Sequence, residues 1–211
     1  MKRIVIISII YAALCILYFS PIQLPNKLAY AVAFLGLVAL YHFRQTGLFM
    51  ALGLLLSACG DYMGTQGNFI GQMAFFGLAH VAYIVYFARR LKKPISWHHV
   101  QYAAITSLFV GAEAFTLVVP SVPDVMLKTG VSIYCLLILT MLCLALLQRD
   151  WFFGLGATLF VFSDFILAWN KFVDPINHAS WYIMITYYAA QWLLFFRTFA
   201  SNACSYTSQD R

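Results

Sequence analysis

The chain has 211 residues, of which 63% are hydrophobic, 18% aromatic and only 9% charged, and its formal net charge is +6. Soluble domains carry about 25% charged residues, so this composition cannot clothe a water-facing surface of that size. It excludes an ordinary cytosolic enzyme, a disordered regulator and a nucleic-acid module, and leaves an integral membrane protein.

Lys2 and Arg3 precede a first apolar run, at about 4–20, that ends at Ser20-Pro21. No small-x-small cleavage pattern follows, so the run reads as a retained membrane helix rather than a signal peptide. Further runs cover about 27–43, 48–64, 69–88, 99–119, 126–147, 151–169 and 178–199, separated where Pro, Gly and charge cluster. Each is close to the ~20 residues that cross a bilayer as helix. Period-2 alternation is absent and the runs are too long for barrel strands. The expectation is an all-α polytopic membrane protein, a single membrane domain over 1–211 with eight transmembrane helices and short loops. Tyr18, Phe43, Trp97, Trp151 and Trp181 stand near run ends, where aromatic belts form. The five cysteines, Cys15, Cys59, Cys135, Cys143 and Cys204, are odd in number and lack C-x-x-C spacing. They read as packing residues rather than a disulfide frame or metal site.

Basic residues set the expected orientation. One side collects Lys2, Arg3, Arg44, Arg89, Arg90, Lys92, Lys93, Arg149, Arg197 and Arg211; the other has Lys27, Lys128 and Lys171. This bias puts both termini and the Arg89–Lys93 loop in the cytoplasm. The short chain has no N-x-[ST] sequon, which points to a bacterial inner membrane.

Ionisable groups within spans cost roughly 2.5–3.5 kcal/mol each on insertion scales, so each asks for a reason. Asp61 lies thirteen residues after Leu48, and Asp164 thirteen after Trp151. Both helices run outward in the expected topology, which sets the two carboxylates at a common depth, roughly 5 Å inside the outer end. Two readings fit. The carboxyls share a cavity, one holding a proton and one staying ionised, or each reaches interfacial water at a helix end. His80 sits near mid-membrane with Tyr83 one turn on, as a ligand or as hydrogen-bonded packing. Tyr187 and Tyr188 precede Gln191 at i−4 and i−3, so all three share a face, to touch substrate or to tie helices together. Lys27 and Lys171 flank the outer side as lipid anchors or as holders of a substrate phosphate. Glu113, His42, His98, His99 and His178 fall towards span ends. No G-x-S-x-G elbow or H-E-x-x-H pattern occurs, and a multi-histidine zinc site is not expected. A faint echo relates the halves: Tyr83 follows Asp61 by 22 residues and Tyr187 follows Asp164 by 23.

These polar residues resemble the pattern of the lysoplasmalogenase family, the YhhN-type membrane proteins. The resemblance rests on Ser57-Ala-Cys-Gly-Asp61, Phe76-Gly-Leu-Ala-His80-Val-Ala-Tyr83, Gly156-Ala-Thr-Leu-Phe160 with Ser163-Asp164, Ala168-Trp-Asn170-Lys171-Phe172 and Tyr187-Tyr188-Ala-Ala-Gln191, with Lys27 and Tyr134 also in family positions. It covers the chain from about the second span to the eighth. One departure is Lys27-Leu28, where the family commonly carries Lys-Pro.

The resemblance implies eight spans and a hydrolase that cleaves the vinyl ether bond of a lysoplasmalogen, releasing a fatty aldehyde and glycerophosphocholine or glycerophosphoethanolamine. It implies Asp61 and Asp164 as catalytic carboxyls, and Lys27, His80, Tyr83, Tyr134, Asn170, Lys171, Tyr187, Tyr188 and Gln191 around the substrate. No metal or organic cofactor is implied. The expected partners are the lysophospholipid substrate and membrane lipids, not nucleic acid. Rival readings are a proton-coupled transporter, an intramembrane aspartyl protease and a non-catalytic scaffold. The protease class carries Gly-x-Gly-Asp where this chain has Ala58-Cys59-Gly60-Asp61.

Overall fold

The computed structural model describes residues 2–91 and 95–206. Lys92, Lys93 and Arg211 of the basic set, and the side chain of Cys204, lie outside the described residues. In chain order the elements are α1 (Lys2–Phe19), α2 (Lys27–Tyr41), α3 (Phe43–Thr46), α4 (Leu48–Thr65), α5 (Phe69–Arg90), α6 (Trp97–Glu113), a π-helical stretch (Ala114–Val118), a 3-10 turn (Val119–Ser121), α7 (Val125–Leu146), α8 (Trp151–Phe172) and α9 (Ala179–Tyr206). No strand occurs among the described residues. Every expected apolar run falls on helix. Among the described residues, six helical segments are long and apolar enough to cross a membrane: α1, α4, α5, α6 with its continuation to Ser121, α7 and α8. α2 is apolar but shorter, at 15 residues.

The run at 99–119 departs from its expected single regular helix. α6 ends at Glu113 and the chain continues as a π stretch and a 3-10 turn that contains Pro120. Proline has no N–H to donate and its ring crowds the carbonyl four residues back, here Thr116. The helix relieves this by changing its hydrogen-bond register before the proline.

The chain forms two compact units. One comprises α1 to α4, α5 as far as Ala82, and α9 from Phe195; the other runs from Tyr83 to Leu194. In the first unit α2 packs against α4 and α1 against α2. Apolar side chains gain little by leaving lipid for one another, so such packing depends on close backbone approach through small residues. The facing surfaces show this: Ala31, Ala39 and Ala51 are fully buried, and Gly36, Gly53 and Gly60 are buried with them. A Cβ at Gly36 would lie 2.7 Å from Leu55 Cδ2 and 3.1 Å from the Leu55 backbone nitrogen. Polar ties close both ends of the pair. Asn26, in left-handed backbone before α2, accepts from Gln66 Nε2 at 2.9 Å and lies 2.7 Å from Thr65 Oγ1 at the end of α4. Thr46 Oγ1, fully buried, donates to Ala39 O at 2.7 Å at the other end.

In the second unit α7 packs on both α6 and α8. Asp124 and Asp150 cap α7 and α8, accepting from Leu127 N at 2.8 Å and Phe152 N at 3.1 Å. The start of α8 is anchored on α5, where Phe153 meets Phe87 edge-to-face at 5.3 Å and Tyr86 at 6.2 Å. The Arg90 guanidinium lies 5.4 Å from the Tyr86 ring and 5.7 Å from that of Phe153.

The Gly36 contact gives a test of the first unit. Gly36→Leu must separate α2 from α4 and is expected to destabilise the protein by about 1–3 kcal/mol. Thermal melting of the purified variant in detergent checks this, and an unchanged melting temperature would show that the α2–α4 contact is slack.

Candidate functional site

In the first unit, Ser57 and Asp61 stand one turn apart on the buried face of α4, 0% and 2% exposed. Their positions continue the buried series Met50, Leu54 at helical spacing, which is why a carboxylate enters the core here. Gly60 beside them admits α5: a Cβ there would lie 2.8 Å from Phe76 Cδ2. Tyr18, from the last turn of α1, has its phenol within electrostatic reach of the Asp61 carboxylate. Lys27 stands 6.0 Å from the Tyr18 ring, and its Nζ donates to Ser20 O at 2.8 Å and Ile22 O at 3.1 Å. The lysine thus folds the α1–α2 connection around its own ammonium group. On α5, His80 is fully buried and its Nδ1–H donates to Phe76 O at 2.7 Å. A carbonyl can only accept, so the proton on Nδ1 is fixed by this bond.

In the second unit, Tyr134 of α7 donates its hydroxyl to Asp164 Oδ2 of α8. Both residues are half-buried. Neighbouring Ser163 donates to Ile183 O of α9 at 3.0 Å, tying α8 to α9. One layer further, Tyr83 donates to Gln191 Oε1 at 2.8 Å, with both side chains fully buried. Phe160 meets the rings of Tyr83 at 6.4 Å and Tyr187 at 5.5 Å, and Tyr187 lies 5.7 Å from Tyr188. The face expected for Tyr187, Tyr188 and Gln191 is therefore inward, at 3%, 4% and 0% exposure. Because the tyrosine occupies the amide oxygen, Gln191 presents its Nε2 donors to the interior.

The remaining candidates divide. Asn170 Oδ1 accepts from Ile176 N at 2.8 Å and so shapes the turn between α8 and α9. Lys171 is exposed, with Nζ 5.9 Å from the Phe172 ring. Glu113, His98 and His178 are exposed. Asp61 belongs to the first unit and Asp164 to the second, so each is described with its own neighbours.

Of two neighbours of Asp61, the sequence marks only one. Tyr18 reads as an interfacial anchor because nothing in its own stretch marks a carboxylate partner forty-three residues away. Ser57 is legible, being four residues before Asp61 on the same helix. What such an arrangement can do is acid–base work: a carboxyl oriented by a phenol keeps one oxygen as acceptor and leaves the other to carry or take a proton.

The chain matches the YhhN family over residues 5–198. It is 35% identical over 145 residues to a human protein named lysoplasmalogenase TMEM86B, a match covering 67% of this chain and 59% of the human one. The pig protein of that name is 36% identical over 142 residues, covering 67% and 59%. Bovine lysoplasmalogenase TMEM86A is 29% identical over 180 residues, covering 79% and 69%. The chain thus spans less than two thirds of the length of the TMEM86B relatives. No solved structure matches.

The Tyr83–Gln191 bond can be weighed by a double-mutant cycle. Tyr83→Phe leaves a buried amide oxygen without its donor and is expected to cost about 1–3 kcal/mol. Adding Gln191→Leu removes the stranded acceptor and should return part of that loss. Chemical or thermal unfolding of the four proteins reads the cycle; strictly additive losses would show that the bond does not couple the two side chains.

Proposed function

The chain belongs to the YhhN family, and on that premise we propose that it is a membrane hydrolase that cleaves the vinyl ether bond of lysoplasmalogens. The observation that carries the proposal is the similarity, over two thirds of the chain or more, to proteins named lysoplasmalogenase. The products are a fatty aldehyde and a glycerophospho-amine.

The chemistry asks for a carbon acid–base pair. A vinyl ether is hydrolysed when an acid protonates its β-carbon and leaves an oxocarbenium ion. Water adds to that ion and returns a proton to a carboxylate, and the resulting hemiacetal collapses to alcohol and aldehyde. Asp61 and Asp164 are the proposed carboxyls, one giving the proton and one stabilising the cation and guiding water. Two observations support the choice: Asp61 is buried within its unit, and Asp164 is held by the Tyr134 hydroxyl. In this reading Tyr134 orients a carboxyl, while His80, Tyr83, Tyr187, Tyr188 and Gln191 shape the surroundings of substrate and water. Lys27, Asn170 and Lys171 stand towards the headgroup. A lysolipid in the bilayer carries its vinyl ether a few ångströms below the surface, a depth that suits carboxyls placed near helix ends.

Asp61→Asn and Asp164→Asn are each expected to abolish turnover in protein that stays folded, since the change is nearly isosteric. Wild-type turnover in heavy water should put one deuterium on the aldehyde α-carbon, read by mass spectrometry after prompt reduction. The saturated ether analogue should inhibit without being cleaved. Aldehyde without α-deuterium, or full activity in either Asn variant, would remove the carboxyl mechanism.

The orientation is also proposed: both termini and the 89–98 loop cytoplasmic, and the 64–68 loop outside, on the basic-residue bias. In a cysteine-free background, Gln66→Cys should react with an impermeant maleimide in intact cells and His98→Cys only after lysis. The reverse pattern would invert the topology.

A further inference from the structure

A groove of ≈ 450 Å³ runs along the first unit between α1 and α2, with Ile6, Ile10, Phe34 and Val38 among its walls and Arg3 and His42 at its end. Its size falls in the range of roughly 300–1,000 Å³ typical of small-molecule sites. The walls are apolar side chains that have no use for water, and Ile6 and Ile10 are 57% and 41% exposed.

The end of the groove is charged with one sign. Arg3 is exposed, and it lines the same end of the groove as the His42 imidazole. The imidazole is seated edge-to-face against Tyr41 at 4.8 Å and Phe199 at 5.4 Å. α1 has no acidic residue in its first turn to balance its positive N-terminal end. The sequence has no Asp or Glu before Asp61. Asp61 is not among the residues that line the groove.

We propose that the α1–α2 groove binds an anionic phospholipid, one acyl chain lying along the isoleucine and Phe34 walls and the phosphate on Arg3 and His42. Guanidinium and imidazole are both N–H donors to phosphate oxygens, and Arg matches them bidentately. A net-negative lipid is favoured over a zwitterionic one because the latter brings an ammonium group to the Arg3 guanidinium, and no carboxylate is among the groove's lining residues to receive it. Because Asp61 does not line the groove, this is a second lipid site, apart from that carboxyl and independent of the proposed hydrolysis.

The test uses the purified full chain in mild detergent with added phosphatidylglycerol or phosphatidylcholine. Phosphatidylglycerol is expected to raise the melting temperature by about 5 °C more than phosphatidylcholine, and native mass spectrometry should retain one molecule. Ile10→Trp fills the groove and the Arg3→Gln/His42→Gln pair removes the phosphate donors; each should abolish the difference while melting like wild type without lipid. Arg44→Gln lies near in sequence but does not line the groove, and should keep it. Equal stabilisation by both lipids, retention in Ile10→Trp, or equal loss in Arg44→Gln would overturn the site. A dimer that Ile10→Trp dissociates would assign the groove to a second copy instead. None of these readouts involves turnover, so failure here and failure of the hydrolase reading are distinguishable.

Discussion

Hydrocarbon surroundings withdraw the force that assembles soluble helices. A leucine face gains almost nothing by exchanging lipid for another leucine face, so what orders the helices is close backbone approach and the pairing of the few polar groups. Both means are visible. Gly36, with alanines along the same face, lets α2 lie on α4. Tyr134 with Asp164, Ser163 with the Ile183 carbonyl and Tyr83 with Gln191 then tie α7 to α8, α8 to α9 and α9 to α5. The candidate chemistry is drawn from the second set. The polar residues proposed to handle a substrate are in part the same ones that hold the helices in register.

Helix positions were largely legible, because an apolar run near twenty residues has few alternatives in a bilayer. The exceptions have local causes that composition does not display. Pro120 sits at the edge of an apolar run, yet its effect reaches back to Ala114 through the hydrogen-bond register. Thr46 closes the α2–α4 connection by a bond to Ala39, seven residues away, which no periodicity announces. At the candidate site, intrahelical relations such as Ser57 with Asp61 and Tyr187 with Gln191 follow from 3.6-residue spacing. Partners from other helices do not: Tyr18 beside Asp61 and Tyr83 with Gln191 exist only once the chain is folded, and the turn bond of Asn170 with Ile176 has no periodicity to announce it. Family resemblance singled out Tyr134, Tyr83 and Gln191, but not which of them are bonded.

The two carboxylates differ in what surrounds them. Asp61 shares its helix face with a serine and approaches a phenol from α1, whose neighbour is an ammonium group held by backbone carbonyls. Asp164 is gripped directly by a phenol and is more open. Unlike settings are what the roles proposed for the two carboxyls would ask of them.

The brevity of α2 bears on the membrane itself. Fifteen residues of helix make about 22 Å, set against a hydrocarbon layer about 30 Å thick. Lys27 folds back onto backbone carbonyls at one end, and Thr46 closes the chain at the other, so neither end can lengthen the helix. A helix shorter than the layer is accommodated by local thinning of the bilayer, by flanking side chains that reach to the headgroups, or by packing against neighbouring helices, each at a cost of fractions of a kcal/mol per ångström. Where α2 borders lipid, thinning of the bilayer would bring polar headgroups inward beside it without any moving part.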